Sequence, residues 1–239
     1  FRKYPDNIEE QKKYLDFLRF FIKGKSYVAL AYMTGILPIK KYGEHSALNM
    51  FDEYDMACKE KYSEYFGFLD EEVDQLYDIY KKITKNPKIL RSELKEWYDG
   101  YQFGDCDVYC PWDVMNFVRD FQFDATVKPA SYWKNTSDNA IIRSFIDFAG
   151  NSITAKMETL LAGGYIIERI EENLTYDYLH ASEDNLWSIL YLTGYLTKVR
   201  DRDIKMPLPD GMTALLIPNA EIREIFETTV KKWFEDKAR

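Results

Sequence analysis

The chain has 239 residues, 46% of them hydrophobic and 16% aromatic, which is ample material for a core and excludes a disordered or collagen-like polymer. Its 40 acidic and 32 basic side chains leave a formal charge of −8, so a globally basic nucleic-acid coat is excluded and only a local basic face stays open. The longest uncharged stretches, Ser26–Ile39 and Asn185–Thr197, run fourteen and thirteen residues, short of the ~20 apolar residues a membrane-spanning helix needs.

In chain order, Asp6 is placed to cap a first helix, with Glu9 as its reciprocal partner. Ile8, Leu15, Leu18 and Ile22 then share one face, and Gly24 ends the helix. Tyr27–Met33 is a short apolar run between Lys25 and Thr34, which predicts a strand buried on both faces. Val73, Leu76, Tyr77 and Tyr80 mark an amphipathic helix, and Leu94, Trp97 and Tyr98 a shorter one that stops at Gly100. Asp99–Pro111 is rich in turn residues. Pro111 suits the first position of a helix whose apolar face is Val114, Phe117, Val118 and Phe121.

The stretch from Asp124 to Ser131, with Pro129 inside it, is the candidate domain boundary. It divides the chain into residues 1–125 and 126–239. Beyond it, Ile141, Ile142, Phe145 and Ile146 predict one helix. Ile153, Met157, Leu160 and Leu161 predict another before Gly163-Gly164, and Leu186, Ile189, Leu190 and Thr193 a third before Gly194. Tyr195–Arg200 and Thr213–Ile217 read as a β-hairpin, within about 195–217. Pro218-Asn219 opens a last helix with a stripe of Ile222, Ile225, Phe226, Val230, Trp233 and Phe234. The fold class expected is mixed α/β and mostly helical, ending in a winged-helix-like module.

The three cysteines, Cys58, Cys106 and Cys110, suit a reducing compartment better than a disulfide framework. No signal peptide is visible after Phe1, so a cytoplasmic location is expected. The start without methionine suggests a trimmed or fragmentary chain.

Few residue patterns carry complete chemistry. Gly24-Lys25-Ser26 resembles the end of a phosphate-binding loop. Yet Arg19 stands where the loop needs its first glycine, and the order helix, turn, strand is reversed. With His45 and His180 as the only histidines, a closed metal site lacks ligands, and no metal is expected. No G-x-S-x-G elbow exists, and a dyad of Cys58 or Cys110 with a histidine could be drawn in any such chain. Glu93-Leu94-Lys95 has nuclease-like spacing, with Asp70, Asp74 and Asp78 upstream. A solvated helix face explains those charges better. No catalytic residue is assigned.

Two segments are less ordinary. Residues 34–43 leave the carboxyl end of the predicted strand, where open α/β sheets place ligands. Thr34 could orient a water or a phosphate oxygen there, with Lys40 or Lys41 balancing its charge. A solvated loop is the competing reading. Residues 97–104 interleave aromatics with glycines and make a packed turn or a partner surface, the packed turn being favoured. Lys198, Arg200, Arg202 and Lys205 give the C-terminal hairpin a basic cast, diluted by Asp201 and Asp203. They are the candidate nucleic-acid-binding residues.

The runs AYMTGILPIKKYGEHSALNMF, YSEYFGF and EWYDGYQFG, with the Pro111-Trp112 helix start, resemble a bacterial family of AAA-ATPase-like proteins. So do YWKNTSDN, LWSILYLTGYLT and LLIPNAEIREIF in the second half. Members of that family typically carry a PD-(D/E)XK nuclease-like domain after the ATPase-like part. The resemblance implies that this chain is the second half of the ATPase-like region, a remnant of a P-loop-type α/β core. It would hold the nucleotide-sensing strand and loop, a helical subdomain and the winged-helix-like piece. The sensing role falls to Thr34, then Lys40 and Lys41. Asn135 and Thr136 match the family's motif without an assigned role. ATP and Mg are then cofactors of a longer parent rather than tight ligands of this chain. The implied partners are the upstream phosphate-loop half and the downstream nuclease-like domain. The alternative reading is a nucleic-acid- or protein-binding module acting through the winged-helix-like region. An unpaired Tyr27–Met33 strand would also invite pairing with a second copy.

Overall fold

A computed structural model describes residues 7–35, 61–84, 88–133, 151–171 and 183–237, with the single positions 48, 50–52, 54, 56 and 174 between them. The expected cap Asp6, Lys40, Lys41, Asn135, Thr136 and the helix predicted around 141–146 lie outside the described residues.

Helix α1 spans Ile8–Ile22, and Lys13 ties its first turn through Glu9 and Glu10. It buries Gln11 and Leu15, whereas Ile8, Phe17, Phe20 and Phe21 face solvent. The apolar run that follows departs from expectation. Tyr27–Met33 forms no strand, and Leu30 and Tyr32 are 88% and 90% exposed. A strand exists only with a neighbour to complete its ladder, and no described strand pairs with this segment. Instead the chain turns at Lys25–Val28, and the Tyr27 hydroxyl donates to the Phe21 carbonyl at 2.9 Å.

The next elements form a helical cluster. Helix α2 spans Asp70–Ile83, α3 spans Arg91–Tyr98 and α4 spans Pro111–Phe123. Glu72 and Glu93 each accept a hydrogen bond from the backbone N–H three residues back, which satisfies a donor at each helix start. Pro111 occupies the first turn of α4, as its fixed φ allows. Val73, Leu94, Tyr98, Tyr109, Val114, Phe117 and Phe121 form one core between these helices. Each such side chain, fully buried, contributes about 1.5–3 kcal/mol.

Between α3 and α4 the turn-rich stretch resolves into a small hairpin of β1, Tyr101–Phe103, and β2, Cys106–Val108. The pairing Phe103↔Cys106 leaves Gly104-Asp105 as a two-residue turn, and Gly104 takes the positive φ that such turns demand.

The C-terminal part runs α5 (Asn151–Leu161), β3 (Ile166–Arg169), α6 (Glu183–Leu192), β4 (Thr197–Lys198), β5 (Met212–Leu216) and α7 (Ala220–Lys237). The three strands form an antiparallel sheet in the order β3-β5-β4. A second core gathers Leu160, Ile166, Trp187, Leu190, Leu215, Ile222, Ile225 and Phe226, and reaches Tyr101 and Val108 of the hairpin. The fold is therefore mixed α/β with small sheets. Bonds cross the candidate boundary near 125: Asn219 Nδ2 donates to the Asp99 carbonyl at 3.0 Å, and Arg200 pairs with Asp107. Among the described residues, no helix is long and apolar enough to cross a membrane.

Candidate functional site

The residues singled out in the sequence do not assemble into one site. Thr34 is exposed just beyond the irregular 27–33 segment. On β4, the Lys198 ammonium lies 6.0 Å from the Tyr191 ring centroid. Arg200 is held by Asp107 in a two-pronged ion pair, Nε to Oδ1 at 2.9 Å and Nη2 to Oδ2 at 2.8 Å. Arg202 is exposed beside Asp203, and the exposed Lys205 donates its backbone N–H to the Tyr165 hydroxyl. One of the four candidate cations is thus neutralised, and another shares its turn with an acid.

The Glu93-x-Lys95 spacing serves helix docking. Glu93 caps α3, while Lys95 reaches Asp70 at 2.9 Å. Arg91 on the same helix bonds Asp70 at 2.6 Å, Asp74 at 2.7 Å and the Tyr109 hydroxyl at 2.9 Å. Partial burial opposes ionisation of Asp70. Hydrogen bonds from Tyr109, Lys95 and Arg91 outweigh it and bring the carboxyl down to about 2. Among the described residues, no cluster of three or more His, Cys, Asp or Glu is arranged to hold a metal ion.

The most unusual chemistry lies where the two cores meet. Asp113 in the first turn of α4 and Glu221 in the first turn of α7 are both fully buried, and their carboxyl groups meet. Burial is the main force raising both carboxyls. For Glu221 the Asp113 charge adds to it, and the Trp133 backbone N–H partly offsets it. That N–H donates to Glu221 Oε1 at 2.8 Å. Both Asp113 oxygens and Glu221 Oε2 lack a nitrogen or oxygen donor, and the neutral Cys110 thiol and Ser131 hydroxyl are the side chains that can donate to the pair. The Cys110 thiol lies beside Asp113, and its own burial pushes it well up, so it stays protonated.

Residues of the runs EWYDGYQFG, YWKNTSDN, LWSILYLTGYLT and LLIPNAEIREIF meet around this pair. Gly100 sits at φ +108 with the Pro218 carbonyl directly against it, where any Cβ would overlap. Asn219 caps α7 through the Ile222 N–H and also donates to the Asp99 carbonyl. The Trp133 ring stacks on Tyr195 at 5.2 Å. The Tyr98 hydroxyl bonds both the N–H and the carbonyl of Ala130. The 97–104 segment is therefore a packed turn.

No local pattern announces the acid pair, since its members lie far apart in sequence. The available signal is an acid two or three residues after a proline at the start of each of two helices.

No family model and no solved structure matches this chain. It is similar to an uncharacterized protein in the vnfD 5' region of Azotobacter chroococcum mcd 1, with 22% identity over 172 residues. The match covers 72% of this chain and 29% of that protein, so the chain spans less than a third of its relative.

Proposed function

We propose that this chain is part of an ATP-binding, AAA-ATPase-like protein, supplying the nucleotide-sensing segment, a helical lid and a winged-helix-like module. The observation that carries this reading is Tyr27–Met33, which has the pattern of a doubly buried strand but no strand partner among the described residues, with Leu30 and Tyr32 exposed. Such a segment calls for a sheet, and a phosphate-loop half would provide one. Thr34 then sits at the strand's carboxyl end, the edge at which α/β sheets hold nucleotides. The relative's greater length leaves room for that half. The strand order β3-β5-β4, with α5 before β3 and α6 between β3 and β4, agrees with a winged-helix-like module.

ATP and Mg would bind the assembled protein, with the phosphate contacts made outside this chain. The test is turnover in a longer polypeptide that includes a phosphate loop. Thr34→Ala or Lys40→Ala should reduce it, and unchanged turnover in both would remove these residues from the site.

A second reading makes the C-terminal module a docking unit. Leu186 through Tyr191 of α6 are all buried, and Arg200 is spent on Asp107. This favours a protein partner over nucleic acid.

A further inference from the structure

We propose that Asp113 and Glu221 hold one proton between them, and that this proton locks α4 to α7 and so joins the two cores. The two carboxyls come from helices that belong to different cores: Val114 and Phe117 of α4 pack in one, Ile222 and Phe226 of α7 in the other. The seam between the cores is polar. It consists of the Asp99–Asn219 and Trp133–Glu221 hydrogen bonds, the contact of Gly100 with Pro218, and the acid pair. A polar seam closes only when its donors and acceptors match.

Burial and the facing carboxyls set the protonation. Two carboxylates side by side carry two buried charges, and the donors around them, the Cys110 thiol, the Ser131 hydroxyl and the Trp133 N–H, are all neutral. One shared proton bridges an oxygen of each carboxyl and reduces the charge to one. The surroundings accommodate that single charge, because both carboxyls lie in first turns, where each helix end carries about half a positive charge. Loss of that proton leaves two like charges facing each other in a buried site.

The groups around the pair do not compensate that loss. Cys110 faces it from the start of α4, Tyr101 from β1 and Tyr98 from the end of α3. Ser131, Tyr132 and Trp133 face it from the connector, and Asn219 from the cap of α7. These are neutral side chains, and none of the groups acting most strongly on the pair is a cation. Asp99 stands nearby, and its own carboxyl is raised chiefly by burial, so it adds to the demand for protons. Lys95 is committed to Asp70 and Asp99.

The direction follows from linkage. The folded chain holds a proton that the unfolded chain releases above the ordinary carboxylate range, so stability is highest on the acid side and falls as pH rises toward and past neutrality. The test is urea unfolding of the whole chain from about pH 5 to about pH 9, for the wild type, Asp113→Asn and Glu221→Gln, where one proton changes the unfolding equilibrium by at most about tenfold per pH unit. An amide in place of one acid keeps a donor at the seam without titrating. Each variant is expected to lose most of the wild-type slope and to exceed the wild type in stability at the alkaline end. Equal slopes in all three overturn the proposal.

Infrared difference spectra of the wild type serve where a variant fails to fold. A protonated-carboxyl band present near neutral pH and lost on alkalinisation supports the shared proton, and no such band overturns it. Hydrogen exchange at the Trp133 amide, corrected for the intrinsic pH dependence, reads the lock itself. Protection is expected to fall as the band disappears, and constant protection overturns the locking role.

Discussion

Asn219 donates its side-chain amide to the Asp99 carbonyl at 3.0 Å while its carbonyl oxygen accepts the Ile222 N–H, so one residue caps α7 and pins it to the end of α3. The cap and the interface are inseparable. Asn219→Ala is expected to cost more than a simple cap, about 2 kcal/mol or above, because a buried carbonyl also loses its donor. Asn219→Asp should keep the cap and lose the donation to Asp99. Urea denaturation separates the two contributions.

Gly100 makes a sharper prediction. Its positive φ and the adjacent Pro218 carbonyl both exclude a Cβ. Gly100→Ala should destabilise the fold by about 1–3 kcal/mol or more. Gly211 also has a positive φ but has only the end of the Arg169 side chain near its Cβ position. Gly211→Ala should therefore cost less, and equal losses in thermal melts would contradict the steric account.

The Asp70–Arg91 pair governs the acid side. The folded carboxyl lies at about 2, below its unfolded value, so its contribution is present above pH ~4 and is lost as pH falls toward 2. Arg91→Gln should bring the Asp70 carboxyl part of the way up in an NMR titration, with the Tyr109 and Lys95 hydrogen bonds still holding it below its ordinary range. An unmoved value would assign the shift to other groups.

The hairpin cations yield a prediction about nucleic acid. Arg200 and Asp107 are each partly exposed, and an exposed pair of this kind contributes about 0.2–1 kcal/mol. Arg200→Ala should therefore cost little stability. A DNA titration in low salt should show no binding that depends on Arg200. Binding lost in Arg200→Ala and in Arg202→Ala alike would restore the nucleic-acid reading.

These contrasts show what the sequence conveys and what it hides. Helices α2, α4, α6 and α7 were legible because a 3.6-residue period, a proline at a first turn and Asn219 are local signals. Strand β3 was not legible, because Glu168-Arg169 at its end reads as solvent-facing. Glu168 is in fact buried and neutralised by Lys156 at 2.8 Å. The strands of the 101–108 hairpin are three residues each, too short for alternation to register. Tyr27–Met33 shows the opposite failure. Its composition fits a buried strand, but a strand is a property of a pair, and one segment cannot report whether its neighbour is present. The Asp113–Glu221 contact is nonlocal in the same way, since it depends on how two helix starts meet.

The most direct measurement of the nucleotide reading is a calorimetric titration with Mg-ATP, run on this chain and on a longer polypeptide that includes a phosphate loop. Hydrogen exchange across residues 27–33 accompanies it. The account predicts no heat and unprotected amides in this chain, and one-to-one binding with protected 27–33 amides in the longer one. Stoichiometric binding to this chain alone, or 27–33 amides that stay unprotected in an ATP-binding longer protein, would contradict it.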